Sequence, residues 1–98
     1  MADRPRISIV TPIYNEEGNI PLLYERIKSV MDDSGTTWEL VTVNDGSRDN
    51  SLALLTELAS HDERVKVVNF ARNFGHQLAV TAGMDYTNGE AVVLMDAD

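Results

Sequence analysis

Hydrophobic residues along the chain follow two different spacings. Short runs dominated by valine and isoleucine, which are typical of buried strands, occupy residues 7–10, 39–43, 65–68 and 91–95. Between them, apolar residues recur every three or four positions, which predicts helices over residues 19–31, around 52–59 and over 74–86. A strand–helix–strand unit repeated at intervals of about 30 residues is typical of right-handed crossovers onto a parallel sheet. The pattern therefore predicts one α/β domain.

The predicted helices each have an apolar face. In the first helix this face carries Leu23, Ile27, Val30 and Met31. Asn19 is its predicted N-cap and Gly35 its predicted end. The second helix is expected to bury Leu52, Leu55, Leu58 and Ala59. The third is expected to pack against the sheet through its small residues Ala79, Ala82 and Gly83.

Two aromatic residues and both histidines are expected to have no part in binding or catalysis. Trp38 and Tyr86 are predicted to pack rather than to bind a substrate. His61 is expected to be exposed and His76 to begin the third helix. Neither histidine has a metal-ligand partner at helical spacing, so no catalytic role is predicted for either.

Composition narrows the possible partners. The chain has 16 acidic and 8 basic residues, a formal net charge of -8, and its basic residues are scattered singly. A nucleic acid partner is not expected, because phosphate backbones are bound by basic patches. The longest apolar run, residues 91–95, is far shorter than the roughly 20 residues that span a bilayer. With no cysteine present, we expect a soluble cytoplasmic chain without a membrane span.

Polar residues follow every predicted strand, in segments 11–17, 44–49, 69–75 and 96–98. In open α/β sheets, ligands bind beyond the carboxyl ends of the strands. Three of these segments carry carboxylates, and the chain has neither of the glycine-rich motifs that hold phosphates through backbone N–H groups. An acidic site holds a diphosphate through a divalent cation, and Mg²⁺ or Mn²⁺ suits such oxygens. The sequence thus predicts a metal-bridged nucleotide-diphosphate site.

Four motifs at these strand ends carry a family resemblance. They read Pro12-x-Tyr14-Asn15-Glu16, Asn44-Asp45-Gly46-Ser47-x-Asp49, Arg72-Asn73-x-Gly75 and Asp96-x-Asp98. Together they resemble the ordered signatures of family 2 glycosyltransferases, and the resemblance covers nearly the whole chain from Ile7. The amino-acid sequences of residues 72–77 and 95–98 resemble one branch of this family. That branch contains dolichyl-phosphate mannose synthase and the bacterial enzymes that glycosylate undecaprenyl phosphate.

The resemblance implies a nucleoside pocket. Pro12, Tyr14 and Glu16 line this pocket. Asp45 accepts a hydrogen bond from a ring N–H group of the base, a contact that suits uracil or guanine. Asn44 departs from the pattern, since many family members have a second aspartate there.

The resemblance also implies a phosphate and metal site. Arg72 is expected near the donor phosphates or the loop that holds them. Asp96 faces the ribose and the metal shell, and Asp98 is the direct ligand of Mg²⁺ or Mn²⁺.

The implied fold is the parallel-sheet nucleotide-diphospho-sugar transferase fold, similar to GT-A, with residues 1–98 forming its N-terminal, donor-binding half. The implied reaction is transfer of a sugar with inversion to a polyprenyl phosphate at the cytoplasmic membrane face. The catalytic base is expected beyond Asp98, so the chain is interpreted as an inactive fragment truncated at its Asp96-Ala97-Asp98 motif.

Other interpretations of the same residues stay open. Asp45 with Gly46 could form only a turn, Glu16 could only favour the start of a helix, and Arg72 could be a surface ion-pair partner. The whole chain could be a non-catalytic remnant that binds nucleotide weakly or does not fold alone. A phospho-acceptor receiver domain is disfavoured, because residues 12–14 and 69–71 replace its acidic pair and acceptor aspartate.

Overall fold

The computed structural model describes residues 4–97 and contains four strands and three helices within them. Along the chain these are β1 (Ile7–Ile13), α1 (Ile20–Ser34), β2 (Trp38–Asp45), α2 (Ser51–His61), β3 (Val65–Phe70), α3 (His76–Asp85) and β4 (Ala91–Leu94). The strands form one sheet in the order β3-β2-β1-β4, and every neighbouring pair is parallel. The predicted α/β parallel sheet is confirmed.

The first three strands extend two or three residues further than the sequence predicts. β1 continues through Pro12, which pairs with Val43 of β2, although proline often ends a strand because it lacks an N–H group. On the other side of β1, pairing with β4 stops at Val10. Pro12 therefore lies beyond the part of β1 that pairs with β4. Its missing N–H group interrupts no hydrogen bond between these two strands.

Helices α1 and α2 cover one face of the sheet. The core on this face contains Ile9, Ile13 and Leu40 of the strands, together with Ile20, Leu23, Ile27, Met31 and Leu55 of the helices. The predicted burial of Val30 is wrong, since this residue is 65% exposed. Leu58 and Ala59 pack against the core only in part.

Helix α3 covers the opposite face at very short range. Ala79 is fully buried, and a Cβ atom added to Gly83 would lie 2.5 Å from Val10 Cγ1 and 3.0 Å from Val43 Cγ2. The predicted packing through small residues is confirmed at these two positions. A helix axis so near the sheet brings the beginning of α3 close to the strand ends.

A buried acidic residue fixes the start of β4 at the amino end of the sheet. Glu39 Oε2 accepts hydrogen bonds from Ser8 Oγ (2.5 Å) and Asn88 N (2.6 Å), while Glu39 Oε1 lies 2.6 Å from Lys66 Nζ. Burial alone would raise the pKa of Glu39, but these partners bring it below its usual value. Ser8 Oγ also accepts from Gly89 N (2.8 Å). The α3–β4 turn is thereby tied to the sheet.

Predicted caps and packing residues have mixed outcomes. Gly35 ends α1 with a left-handed φ of 71°, as predicted. Asn19 occupies the N-cap position without a side-chain cap and instead donates to Glu16 Oε2 at 2.7 Å. Trp38 is buried, which confirms its packing role, with the Arg64 guanidinium 4.1 Å from its ring centroid. The packing role of Tyr86 is wrong, because this side chain is 57% exposed.

Among the described residues, no helix combines the length and apolarity needed to cross a bilayer.

Candidate functional site

A cavity of about 400 Å³ opens at the carboxyl edge of the sheet. Its walls come from the ends of β1 and β2, the start of α3 and the segment after β4, and they include Pro12, Ile13, Tyr14, Glu16, Asp45, Asn73, Gly75, His76, Asp96 and Ala97. Five site residues predicted from sequence meet here: Pro12, Tyr14, Glu16, Asp45 and Asp96. The motifs therefore converge in space as the parallel topology requires.

Asp45 ends β2 and is 3% exposed. Its Oδ1 accepts a hydrogen bond from Phe74 N (2.7 Å), and its Oδ2 accepts from Gly75 N and Asn73 Nδ2 (both 3.1 Å). One buried carboxylate thus holds the loop that leads into α3. The base contact of Asp45 stays a prediction. The same carboxylate also anchors the loop before α3.

Gly46 allows this loop to lie directly against the end of β2. Its φ is 71°, and an added Cβ atom would overlap the backbone of Arg72 and Asn73. Asn73 Nδ2 also donates to the Asp45 backbone oxygen at 3.1 Å. The Asp45-Gly46 pair therefore forms a junction between two loops rather than an isolated turn.

Tyr14 and Glu16 line the cavity from the β1–α1 loop (residues 14–19). Tyr14 is exposed, so its ring is open to a ligand. The Glu16 carboxylate is oriented by Asn19, which donates to it, and the Glu16 backbone oxygen accepts from Asn19 N and Ile20 N. Glu16 lies just before α1, whose first turn contains no acidic residue.

Arg72 does not line the cavity. Its guanidinium carbon lies 4.8 Å from the centroid of the Phe74 ring, and the residue is exposed. Within residues 4–97 it forms no ion pair, so the structure gives no support to the surface ion-pair interpretation. Its predicted place near donor phosphates stays a prediction.

Asp96 and His76 approach each other on the wall of the cavity. The distance between Asp96 Oδ1 and His76 Nε2 is 3.4 Å, and both side chains are well exposed. His76 begins α3 as predicted, but sequence reasoning missed its place on the cavity wall. The missed signal was its position directly after the Arg72-Asn73-x-Gly75 motif, at a helix start that the sheet topology brings to the strand ends.

The side chains that could bind a metal ion are not clustered in the described part of the chain. No cluster of three or more His, Cys, Asp or Glu side chains that could hold an ion occurs in residues 4–97. Asp96 offers an exposed carboxylate at the cavity, and Asp98, the predicted direct ligand, lies outside the described residues. This donor chemistry fits Mg²⁺ or Mn²⁺, which bind through one or two carboxylates completed by water and substrate phosphates.

A second cavity, of about 360 Å³, adjoins the first. It lies between α1 and the segment after β4, shares Asp96 and Ala97 with the first cavity, and is otherwise mostly apolar, with Val30 on its wall. The exposure of Val30 noted above is explained by its place on this open surface.

Comparison with known proteins identifies related sequences. The family model described as Glycosyl transferase family 2 matches residues 8–98. The chain is 52% identical over its full length to the uncharacterized glycosyltransferase YkcC of Bacillus subtilis, and it covers 30% of that protein. It is 41% identical over 98% of its length to the undecaprenyl-phosphate 4-deoxy-4-formamido-L-arabinose transferase of Pectobacterium carotovorum, again covering 30%. The bactoprenol glucosyl transferase of Shigella phage SfX is 39% identical over 95% of the chain, which covers 30% of it.

Solved structures share the fold. TarS of S. aureus in complex with UDP matches with a TM-score of 0.77 and 25% identity, over 95% of this chain and 27% of its own. The mannosyltransferase PcManGT of Pyrobaculum calidifontis, in complex with GDP-Man and Mn²⁺, matches with a TM-score of 0.71 and 25% identity, over 99% of this chain and 28% of its own. The chain thus spans less than a third of the length of each of these proteins.

Proposed function

Because the chain belongs to glycosyl transferase family 2, we propose that its carboxyl-edge cavity binds the nucleotide diphosphate of a sugar donor. The observation that carries this proposal is the convergence of Pro12, Tyr14, Glu16, Asp45 and Asp96 on that one cavity. The structural neighbours solved in complex with UDP and with GDP-Man support a donor of the UDP or GDP type.

A divalent cation completes the proposed donor site. Three carboxylates line the cavity, those of Glu16, Asp45 and Asp96, so an incoming diphosphate needs a positive charge between itself and the protein. We assign Mg²⁺ or Mn²⁺ to this role, with Asp96 and Asp98 as protein ligands. The Mn²⁺ in the PcManGT complex supports the metal class. When bound, such an ion stabilises the charge that develops on a departing diphosphate.

The proposed acceptor is a polyprenyl phosphate at the cytoplasmic face of the membrane, with transfer inverting the anomeric centre. This proposal is supported by the names of two relatives, an undecaprenyl-phosphate 4-deoxy-4-formamido-L-arabinose transferase and a bactoprenol glucosyl transferase. We place the catalytic base outside residues 1–98 and propose that this chain alone binds the donor without transferring the sugar.

A thermal melt of the chain with UDP, GDP and CDP, each with and without Mn²⁺, tests the donor site. A ligand that binds only the native state at about a hundred times its Kd adds roughly 2.7 kcal/mol. For a domain of this size that raises Tm by ~10 °C or more. We expect one of UDP or GDP to raise Tm, and to do so only with Mn²⁺.

Variants separate the site from unspecific effects. Asp96→Asn should abolish the metal-dependent part of the shift, whereas Asp33→Asn, an exposed aspartate on α1, should leave it intact. A cooperative melt that no nucleotide moves would refute the donor site. The absence of a cooperative melt would favour the alternative of a remnant that does not fold alone.

A further inference from the structure

Two loops beside the donor cavity are joined by hydrogen bonds from one loop to the other. The β1–α1 loop lines the cavity, and the β2–α2 loop (residues 46–50) lies behind it. Asn15 N donates to Ser47 Oγ (3.0 Å), Glu16 N to Ser51 Oγ (3.0 Å) and Glu17 N to Asp49 Oδ2 (3.2 Å). Three consecutive backbone donors of the first loop are thus satisfied by side chains at the second loop and the start of α2.

A fourth hydrogen bond runs in the opposite direction. Arg48 N donates to Asn15 Oδ1 at 2.8 Å. Asn15 has a φ of 52° and is the one non-glycine residue with positive φ among residues 4–97. Asparagine tolerates this left-handed conformation better than most residues, and its short side chain bonds to nearby backbone. Asn15 therefore supplies both the bend of its loop and an acceptor for the other loop.

Asp49 is itself held in place. Its Oδ1 accepts from Ser51 N at 2.9 Å while its Oδ2 accepts from Glu17 N. Desolvation alone would raise the pKa of Asp49, but hydrogen bonds from Ser51 and Glu17 lower it below its usual value. The carboxylate is therefore ionised at neutral pH and serves as a charged acceptor.

We infer that Asn15, Ser47 and Asp49 are positioning residues that keep Tyr14 and Glu16 on the wall of the donor cavity. The three do not line the cavity, whereas Tyr14 and Glu16 do. This inference rests on the proposed function for its effect on donor binding. The hydrogen bonds between the loops also give a physical reason why the motifs at residues 12–16 and 44–49 occur together. Each motif supplies hydrogen-bond partners that the other needs.

The connection between the loops is tested by amide hydrogen exchange in the 98-residue chain without nucleotide. Asn15→Gly keeps the left-handed bend but removes the acceptor, so the Arg48 amide should exchange about fivefold faster. Ser47→Ala should accelerate the Asn15 amide in the same way. Asn50→Gly is the matched control, because Asn50 is exposed and makes no side-chain cap. Unchanged exchange at both amides would overturn the inference.

Nucleotide affinity, measured by titration calorimetry with Mn²⁺ present, tests the positioning role. We expect Asn15→Gly to raise Kd about fivefold or more, and Asn15→Asp, which keeps an acceptor and tolerates the bend, to restore it. Asn15→Gly combined with Ser47→Ala should be less than additive, since both changes open the same connection. Full affinity in Asn15→Gly would overturn the positioning role. Failure of the unmodified chain to bind any nucleotide would refute the proposed function, and the exchange result would still decide whether the loops are joined.

Discussion

Asp45 holds the loop before α3 through its carboxylate, and the proposed base contact calls on the same carboxylate. An ionised carboxylate has about four lone-pair sites, and three hydrogen bonds from residues 73–75 already reach it. One site is therefore left for a ring N–H group of the proposed donor base. The proposed base contact thus depends on the loop, because the loop occupies the other three sites.

We predict that Asp45→Ala lowers the free energy of unfolding by about 2 kcal/mol. The physical reason is that the N–H groups of Phe74 and Gly75 lose a charged acceptor in a partly buried place. Urea denaturation followed by circular dichroism measures the change. Asp33→Ala, on the exposed face of α1, should shift the midpoint little. Equal midpoints for Asp45→Ala and the unmodified chain would contradict the anchoring role.

A second carboxylate, that of Asp62, contributes to stability at acid pH. Hydrogen bonds from Arg64 and Tyr24 lower the pKa of Asp62 to about 2, against a usual value of 3.8. Burial and the hydrogen bond to Asp62 raise the pKa of Tyr24 to about 12. Because the folded-state pKa of Asp62 is depressed, its contribution is complete above pH ~4–5 and is lost as the pH falls toward 2. The shift corresponds to about 2 kcal/mol.

We predict that Asp62→Asn lowers stability at neutral pH by about 2 kcal/mol and flattens the loss of stability between pH 5 and pH 2. Urea midpoints measured at several pH values in that window provide the test. Asp33→Asn should keep the steeper dependence of the unmodified chain. A parallel pH dependence for Asp62→Asn and the unmodified chain would show that titration of Asp62 does not contribute to this loss of stability.

Sequence reasoning located the carboxylates of this site better than the basic side chains near it. Asp45 and Asp96 come directly at strand ends, and the parallel topology alone brings them to one cavity. The position of His76 depends on where α3 begins. That start is held by hydrogen bonds from Phe74 and Gly75 to Asp45, which lies 29 and 30 residues earlier in the sequence. Arg72 has a long side chain on an exposed loop, and its stacking on Phe74 could not be predicted from spacing.

At the level of elements, periodicity predicted which segments are helices and strands but not all of their faces. Leu23, Ile27 and Met31 are buried as predicted, whereas Val30 lies beside the same stripe and is exposed. The reason is that the surface next to Val30 forms an open apolar cavity with the segment after β4. A sequence pattern gives the width of an apolar stripe, and the neighbouring elements determine how much of it is covered.

We predict that Gly83→Ala lowers the free energy of unfolding by roughly 1–2 kcal/mol. The added methyl would press on the buried side chains of Val10 and Val43, and this overpacking outweighs the about 1 kcal/mol that alanine contributes to a helix. Chemical denaturation measures the change. Gly18→Ala is the control, since an added Cβ atom there has no atom within 4 Å. A stabilised Gly83→Ala would mean that α3 can move away from the sheet without loss.

At the scale of the whole molecule, packing is uneven across the sheet. Within residues 4–97, β1 and β2 have strands on both sides, whereas β4 pairs with β1 alone. All four residues of β4 are exposed, and they include the apolar side chains of Val92, Val93 and Leu94. The sequence pattern predicted the strand itself. It could not predict that the strand lies at an edge beside the carboxyl-edge cavity, because the strand order depends on pairing between distant segments.

We predict that the 98-residue chain, taken alone, associates with itself through the edge of β4 that no described strand covers. Unpaired backbone groups on an apolar edge favour pairing with another chain, and a lysine at the edge opposes it. Leu94→Lys should therefore keep the chain monomeric at concentrations where the unmodified chain forms larger species in sedimentation velocity. Leu78→Lys is the matched control, because Leu78 on α3 is 55% exposed and Leu94 is 54% exposed. If both lysine variants reduce association equally, the added charge on this acidic chain is responsible rather than the strand edge.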